Sequence, residues 1–305
     1  MTQEGSILKG INNIYTVADE HGREYLCRIK GKVLRGIDVD KTPLTPADRV
    51  LFEPVGLQEG RIEERLDRKN SFVRYNLKRR MNQTLFVNVD QILCVVSVDQ
   101  PQFRPGFIDR VLLCADDIPV VIVLNKTDLP EPEDISRDIE VYASLGIGFC
   151  RVSAAEGKGL DELAKLLPGK RSALFGQSGA GKSSLVNALI PAAEQRTEEV
   201  SLRYNKGRHT TNFTTVLKSQ DGNWELLDTP GVREIDIPDM DPSMISHWYP
   251  DMKNHIGRCR FSPCLHIHEP GCAVKNAVED GEIDAGRYQR YVRITEEQKQ
   301  RSSLR

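Results

Sequence analysis

The chain has 305 residues, 39% hydrophobic and 28% charged, with a formal net charge of −2 at pH 7. This balance is that of a globular chain and excludes a disordered one, and the length suits two or three domains. No apolar run approaches the roughly 20 residues that span a bilayer. The start MTQEGSILKG lacks a basic region followed by an apolar stretch, so no membrane association is expected and the expected location is the cytoplasm. The seven cysteines are an odd count, which argues against a disulfide framework. Cys27, Cys94, Cys114 and Cys150 lie in apolar or strand-like surroundings and are expected to be buried thiols.

The first seventy or so residues show no helical period. Short β-type runs occur at residues 7–8, 14–17, 25–29 and 50–52, separated by turn signals at residues 19–22, Gly31, Pro43, Pro46 and Gly56. About five short strands in that length predict a small β-barrel, with the OB-fold the natural candidate. Arg28, Lys30, Lys32 and Arg35 form a basic stretch there. A solvated strand face is the plainer reading and contact with an RNA backbone the functional one.

From about residue 85 the pattern becomes α/β. Residues 91–98 and 119–124 are continuous apolar runs of the kind buried on both faces of a sheet. Helical spacing covers residues 107–115, 135–145, 160–167 and 183–189. Further strands are expected at residues 147–152, 172–175 and 224–227. This alternation predicts a mostly parallel sheet whose ligand lies outside the C-terminal ends of the strands. Helices are also expected over residues 273–278 and 285–294. Arg287, Arg290, Arg293, Lys299, Arg301 and Arg305 make the chain's end basic, with interleaved acids that suit a solvated helix face.

Three motifs fall at strand ends. Gly176, Gln177, Ser178, Gly179, Ala180, Gly181, Lys182 and Ser183, followed by Ser184, form a GxxxxGKS phosphate loop between a strand and a helix. Its backbone N–H groups suit a β-phosphate, with Lys182 toward the β- and γ-phosphates and the Ser183 hydroxyl toward Mg²⁺. Asp228-Thr229-Pro230-Gly231 follows an apolar strand. Asp228 is placed to hold Mg²⁺ through a water, and the Gly231 N–H to sense a γ-phosphate. Asn125-Lys126-Thr127-Asp128 reads NKTD. An ionised Asp128 accepts from guanine N1–H and N2–H₂, donors that adenine lacks, a difference of roughly 1–3 kcal/mol or more. Asn125 suits the base's acceptor edge and the tethering of loops, and the Lys126 stem suits the ring face. Ser153-Ala154, one strand and one helix later, suits a backbone N–H for guanine O6. The polar segment 196–215 is the expected mobile switch, with Thr210 or Thr211 as the Mg²⁺ ligand in the GTP state. His209 reads as a loop histidine. The set is that of a GTPase, but NKTD precedes the phosphate loop, whereas ordinary GTPases run phosphate loop, DxxG, NKxD. The residue after DTPG is Val232, which cannot orient a water as the usual glutamine does. Slow intrinsic hydrolysis completed by a partner is expected.

Near the end, Cys259, Cys264, His266 and Cys272 have the composition of a closed structural zinc site. His268 competes with His266, because alternate residues of an extended segment point the same way.

The order NKxD, SA, GxxxxGKS, GRHTT, DTPG, with a barrel before it and CxxxxCxHxxxxxC after it, resembles the RsgA (YjeQ) family of ribosome small-subunit-dependent GTPases over nearly the whole chain. The resemblance implies an α/β circularly permuted P-loop GTPase domain at 71–236. An N-terminal OB-fold RNA-binding barrel at 1–70 and a mostly helical zinc-binding domain at 237–305 flank it. It further implies one structural zinc on Cys259, Cys264, His266 and Cys272, and Mg²⁺ with GTP. It implies GTP hydrolysis stimulated by the 30S subunit, action late in that subunit's maturation and contact with 16S rRNA, with GTP and GDP as ligands. Separately, nothing in the sequence suggests an obligate dimer, and a monomer is expected. Some members carry a histidine shortly after DTPG; residues 235–240, IDIPDM, have none. The competing readings are a nucleotide-switched RNA-binding module with negligible turnover, a permuted GTPase of the large subunit, and a P-loop ATPase or kinase. The rotated order also leads the stretch after DTPG outward toward the zinc segment, where contact with a particle would reposition it.

Overall fold

Alternating burial gives the N-terminal strands over residues 24–29 and 49–54 one face to bury, while the strand over residues 14–19 is buried at five successive positions. The computed structural model describes residues 2–11, 13–29, 44–190 and 214–303. Strands β1 (Gln3–Ile11), β2 (Ile14–Asp19), β3 (Glu24–Ile29), β4 (Arg49–Pro54) and β5 (Glu59–Arg65) close into a barrel in the order β1-β2-β3-β5-β4. Ile7, Val17, Cys27, Val50, Phe52 and Ile62 fill it. β5 offers the core only Ile62 among glutamates and arginines, which is why composition did not reveal it. Gly60 is required where β5 crosses the core, since a Cβ there would lie 2.6 Å from Cys27 Sγ. Of the basic stretch, Arg28 is exposed on β3, while Lys30, Lys32 and Arg35 lie outside the described residues.

A hairpin that the sequence reading did not foresee, β6 (Ser71–Asn76) with β7 (Met81–Val87), follows the barrel. Phe72 stacks on Phe86 with centroids 4.6 Å apart, and Phe175 tilts against Phe72 at 4.8 Å. The barrel is tied on by polar contacts. Arg68 donates to both oxygens of the buried Asp48 at 2.8 Å, and Asn88 Nδ2 donates to the Ala47 carbonyl at 2.9 Å.

The central sheet has β8 (Gln91–Ser97), β9 (Val120–Asn125), β10 (Gly148–Arg151), β11 (Arg171–Gly176), β12 (Thr215–Lys218) and β13 (Glu225–Asp228) in the order β10-β9-β8-β11-β13-β12. All pairs are parallel except that of β12 with β13. β12 is an antiparallel edge strand that was not expected from the sequence; the expected switch segment 196–215 ends at its first residue, Thr215. β8 is buried on both faces: Ile92, Cys94 and Val96 join one core, Leu93 and Val95 the other. The helices are α1 (Pro105–Ala115), α2 (Glu133–Ser144), α3 (Leu160–Lys165) and α4 (Lys182–Leu189). Proline at the first position starts α1, and Glu133 and Asp134 favour the N-terminal end of α2.

Beyond the sheet come a 3-10 helix (Pro242–Trp248), α5 (Ala273–Glu279) and α6 (Ala285–Ser303). α6 runs past the expected end at residue 294 and is not a solvated basic face. Arg287 is buried and donates to Asp109 Oδ1 and, at 3.0 Å, to Asp251. Arg290 Nε donates to Asp109 Oδ2 at 2.6 Å. Burial opposes the charge on Arg287, but the Asp109 and Asp251 carboxylates outweigh it and raise its pKa. Arg301 is half-buried, Arg293 and Lys299 are exposed, and Arg305 lies outside the described residues.

The aromatic cluster gives a stability test. Phe175→Ala removes the ring that joins the hairpin to the sheet. It should lower unfolding free energy by about 3–5 kcal/mol in urea titration; a loss below about 1 kcal/mol would contradict this packing.

Candidate functional site

Each nucleotide motif among the described residues sits at the C-terminal end of a strand. Gly176 ends β11 and Lys182 opens α4, so the phosphate loop spans the turn between them. Gly179 (φ +83°) and Gly181 (φ +91°) adopt the left-handed conformation the turn needs. Ser178, Gly179, Ser183 and Ser184 are exposed; Gln177, Ala180 and Lys182 are buried. Lys182 Nζ donates to the carbonyls of Gly176 and Gln177, both at 3.0 Å. Burial lowers its pKa, and the Asp228 carboxylate partly offsets that.

Asp228 ends β13, and Thr229 Oγ1 donates to the Leu174 carbonyl at 2.6 Å, fixing the DTPG turn to the neighbouring strand. Gly231 lies against the loop, since a Cβ there would be 2.8 Å from Ser178 Cα and 2.9 Å from Lys182 Nζ. Val232 then pairs with the loop as a short parallel bridge: Ser178 N–H donates to its carbonyl at 2.8 Å, and its own N–H to Gly176 O at 3.3 Å. This main-chain splice leaves no signature in side chains, so motif reading missed it. Thr210, Thr211 and His209 lie outside the described residues.

Asn125 ends β9 and is buried. Its Nδ2 donates to the Ala180 carbonyl at 2.9 Å, and its Oδ1 accepts from the Ala154 N–H at 3.1 Å. One side chain thus joins NKTD, the phosphate loop and Ser153-Ala154. The Thr127 N–H donates to the Val152 carbonyl at 3.2 Å. Asp128 is exposed and accepts from Ser153 Oγ at 2.6 Å. That bond holds its carboxyl below the usual range, helped by a backbone N–H. Lys126 has φ 63°, and its ammonium donates to the carbonyls of Asp99 and Gln100, in the turn after β8. Neither partner was legible, because both act through main-chain oxygens. The Ser153 N–H is engaged by the Lys158 carbonyl at 2.9 Å.

Cys259, Cys264, His266 and Cys272 converge, with their ligand atoms all within 4.8 Å of one another. Cys259 Sγ is 3.4 Å from His266 Nδ1 and 3.8 Å from Cys272 Sγ, and His266 Nδ1 is 3.3 Å from Cys272 Sγ. A zinc tetrahedron with Zn–S near 2.3 Å and Zn–N near 2.0 Å has edges of about 3.5–3.8 Å, so the donor set fits one zinc. His268 points elsewhere: it is exposed, with Nε2 3.9 Å from Glu296. Glu269 organises the knuckle, accepting from the N–H groups of Leu265 (2.9 Å), Ile267 (2.9 Å) and His268 (3.1 Å). Burial would raise its pKa, yet these donors prevail and bring it to about 2. α6 holds the knuckle through Tyr288, whose hydroxyl donates to His266 O at 2.7 Å, and Tyr291, whose hydroxyl donates to Leu265 O at 2.8 Å.

A phosphate loop on β11, DTPG on β13 and NKTD on the earlier strand β9 define a P-loop GTPase of circularly permuted chain order. The RsgA GTPase family profile matches residues 65–238. The Small ribosomal subunit biogenesis GTPase RsgA of Borrelia garinii subsp. bavariensis is 34% identical over 299 residues, covering 97% of this chain and 96% of the relative. The protein of that name from Moorella thermoacetica is 38% identical over 291 residues, covering 95% of each. The crystal structure of YjeQ from Thermotoga maritima superposes with a TM-score of 0.74 at 33% identity, covering 98% of this chain and 99% of that one. That of YloQ, described as a circularly permuted GTPase, gives 0.72 at 30% identity, covering 99% and 96%. The chain belongs to the RsgA GTPase family and is a GTP hydrolase.

Two outcomes follow from the geometry. Freshly purified protein should carry one zinc per chain by metal analysis, and Cys264→Ala should lose it. Asn125→Ala removes the side chain that, in the described site, joins all three loops. It should weaken GDP binding about 10- to 100-fold in titration, the scale of one or two buried hydrogen bonds.

Proposed function

We propose that this GTPase acts on the 30S ribosomal subunit late in its maturation and that the subunit accelerates hydrolysis. The working division is a barrel at 1–70, a GTPase domain at 71–236 and a zinc domain at 237–305. The outer two would contact 16S rRNA, and the chain would work as a monomer. The relatives' names carry the partner; the structural support is how α6 grips the exit from DTPG. Arg301 donates to the Ile237 carbonyl at 3.1 Å and to Asp236 at 3.2 Å, and stacks over Tyr75 at 4.3 Å. Gln298 donates to the Pro238 carbonyl at 2.6 Å. A particle that moves α6 therefore pulls on the segment a few residues after Gly231.

In this reading Asp128 takes the guanine N1–H and N2–H₂, and the Lys126 stem covers the ring. Guanine O6 shares the Ala154 N–H with Asn125. The phosphate loop cradles the β-phosphate, and the anion favours the charged form of Lys182, opposing the burial that lowers its pKa. The Gly231 N–H meets the γ-phosphate, with Thr210 or Thr211 closing over it. Ser183 and Asp228 would hold Mg²⁺, which would supply positive charge against the phosphates. Val232 brings an apolar side chain where water must be oriented, so the particle supplies or repositions the missing group.

The assay is multiple-turnover GTP hydrolysis with isolated 30S, 50S and 70S particles. Strong stimulation by 30S is expected. Stimulation by 50S instead would point to the large subunit, and none by any particle to a binding module with negligible turnover. Effective competition by excess ATP would contradict the role of Asp128. Deleting residues 259–305 is not a clean test of coupling, because Tyr291, Ile294 and Arg287 belong to the buried interior. Arg301→Met is the sharper variant: it should reduce 30S stimulation several-fold while basal turnover stays unchanged.

A further inference from the structure

The same helix is also linked, through α1, to the opposite end of the nucleotide site. Lys126 is held by the carbonyls of Asp99 and Gln100, in a turn, residues 99–104, that is closed at both ends. Ser97 Oγ donates to the Pro101 carbonyl at 2.7 Å, and the Phe107 N–H to the Arg104 carbonyl at 2.9 Å. The turn also abuts the phosphate loop, since a Cβ on Gly179 would lie 3.6 Å from Gln100 O and from Pro101 Cδ. It runs directly into α1. The Tyr142 hydroxyl, on α2, lies 2.8 Å from the Pro105 carbonyl and 2.9 Å from Asp109 Oδ1. Asp109, one turn into α1, is fully buried and takes Arg287 and Arg290 of α6.

We propose that residues 99–104 are a positioning element for the guanine base. Through Asp109, α6 sets that element, so a load on α6 changes how long GDP is held. The inference rests on the guanine site described above and adds a regulated step to it. An ammonium fixed by two carbonyls leaves the Lys126 stem little freedom to lose when it covers the ring. If α1 shifts, the carbonyls shift with it and the stem is released. The base is then held less well, while Lys182, Gly231 and the γ-phosphate side are untouched. Arg290 and Tyr142 are positioning residues in this scheme, not catalytic ones.

The experiment measures release of a fluorescent GDP analogue by stopped flow, alongside single-turnover hydrolysis of bound GTP, in the full-length zinc-loaded protein. Arg290→Met should speed release about tenfold, the scale of a lost charge-assisted hydrogen bond, with the single-turnover rate unchanged. Arg290→Lys should restore most of the wild-type release rate. Tyr142→Phe, which removes one hydroxyl, should act in the same direction and serves if Arg290→Met loses zinc or melts near the assay temperature. The decisive comparison is the double variant Lys126→Met with Arg290→Met, expected to release GDP no faster than Lys126→Met alone. Multiplying effects in the double variant, unchanged release in folded single variants, or hydrolysis falling in step with release would each overturn the proposal. A wild-type protein that fails to bind the GDP analogue would instead overturn the guanine reading beneath it.

Discussion

A carboxylate with no solvent exposure must be answered by positive charge nearby, or its ionised form is driven out. Asp109 is such a group, and Arg287 and Arg290 answer it from a helix almost two hundred residues later in the chain. The pairing contributes little net stability by the usual balance of desolvation against attraction. What it fixes is register. With both arginines committed, α6 has one position on α1, and its other contacts follow. Tyr288 and Tyr291 then meet the zinc knuckle, and Arg301 and Gln298 meet the segment leaving DTPG.

The nucleotide site is organised by a comparable economy of tethers. Asn125 joins three loops from three strands, and Val232 is spliced to the phosphate loop by main-chain bonds. These links draw the β9, β10, β11 and β13 ends into one site, although β9 precedes β11 in the chain. Permutation is tolerated because the parallel sheet needs only the strand order β9-β8-β11-β13, whichever segment is synthesised first. Its consequence is that the chain leaving DTPG goes to the α6 side instead of returning to the sheet.

Legibility differed by the kind of interaction. The strands β8, β9, β11 and β13 were readable because burial on both faces requires unbroken apolar runs. The three nucleotide motifs and the Cys-Cys-His-Cys set were readable because phosphate, guanine and zinc each demand particular residue types at close spacing. β5 and β12 were not, since each offers the core only a few apolar residues. Nor were the carbonyls that hold Lys126, because any residue supplies a carbonyl. Arg287 and Arg290 read as solvated charge, because a helical sequence does not show which face will meet a buried acid.

The sequence by itself determined the chemistry: an α/β GTPase in rotated order, a barrel before it and a three-cysteine, one-histidine metal site after it. Those features are local, set by residue identity within a strand and the turn that follows. The tertiary structure decided how the parts are joined: His266 over His268 in the metal site, the hairpin wedged on Phe175, and α6 holding both the exit from DTPG and, through Asp109, the helix that follows the turn behind Lys126. These depend on contacts between residues far apart in the chain, whose partners are main-chain atoms or buried charges that no local pattern specifies.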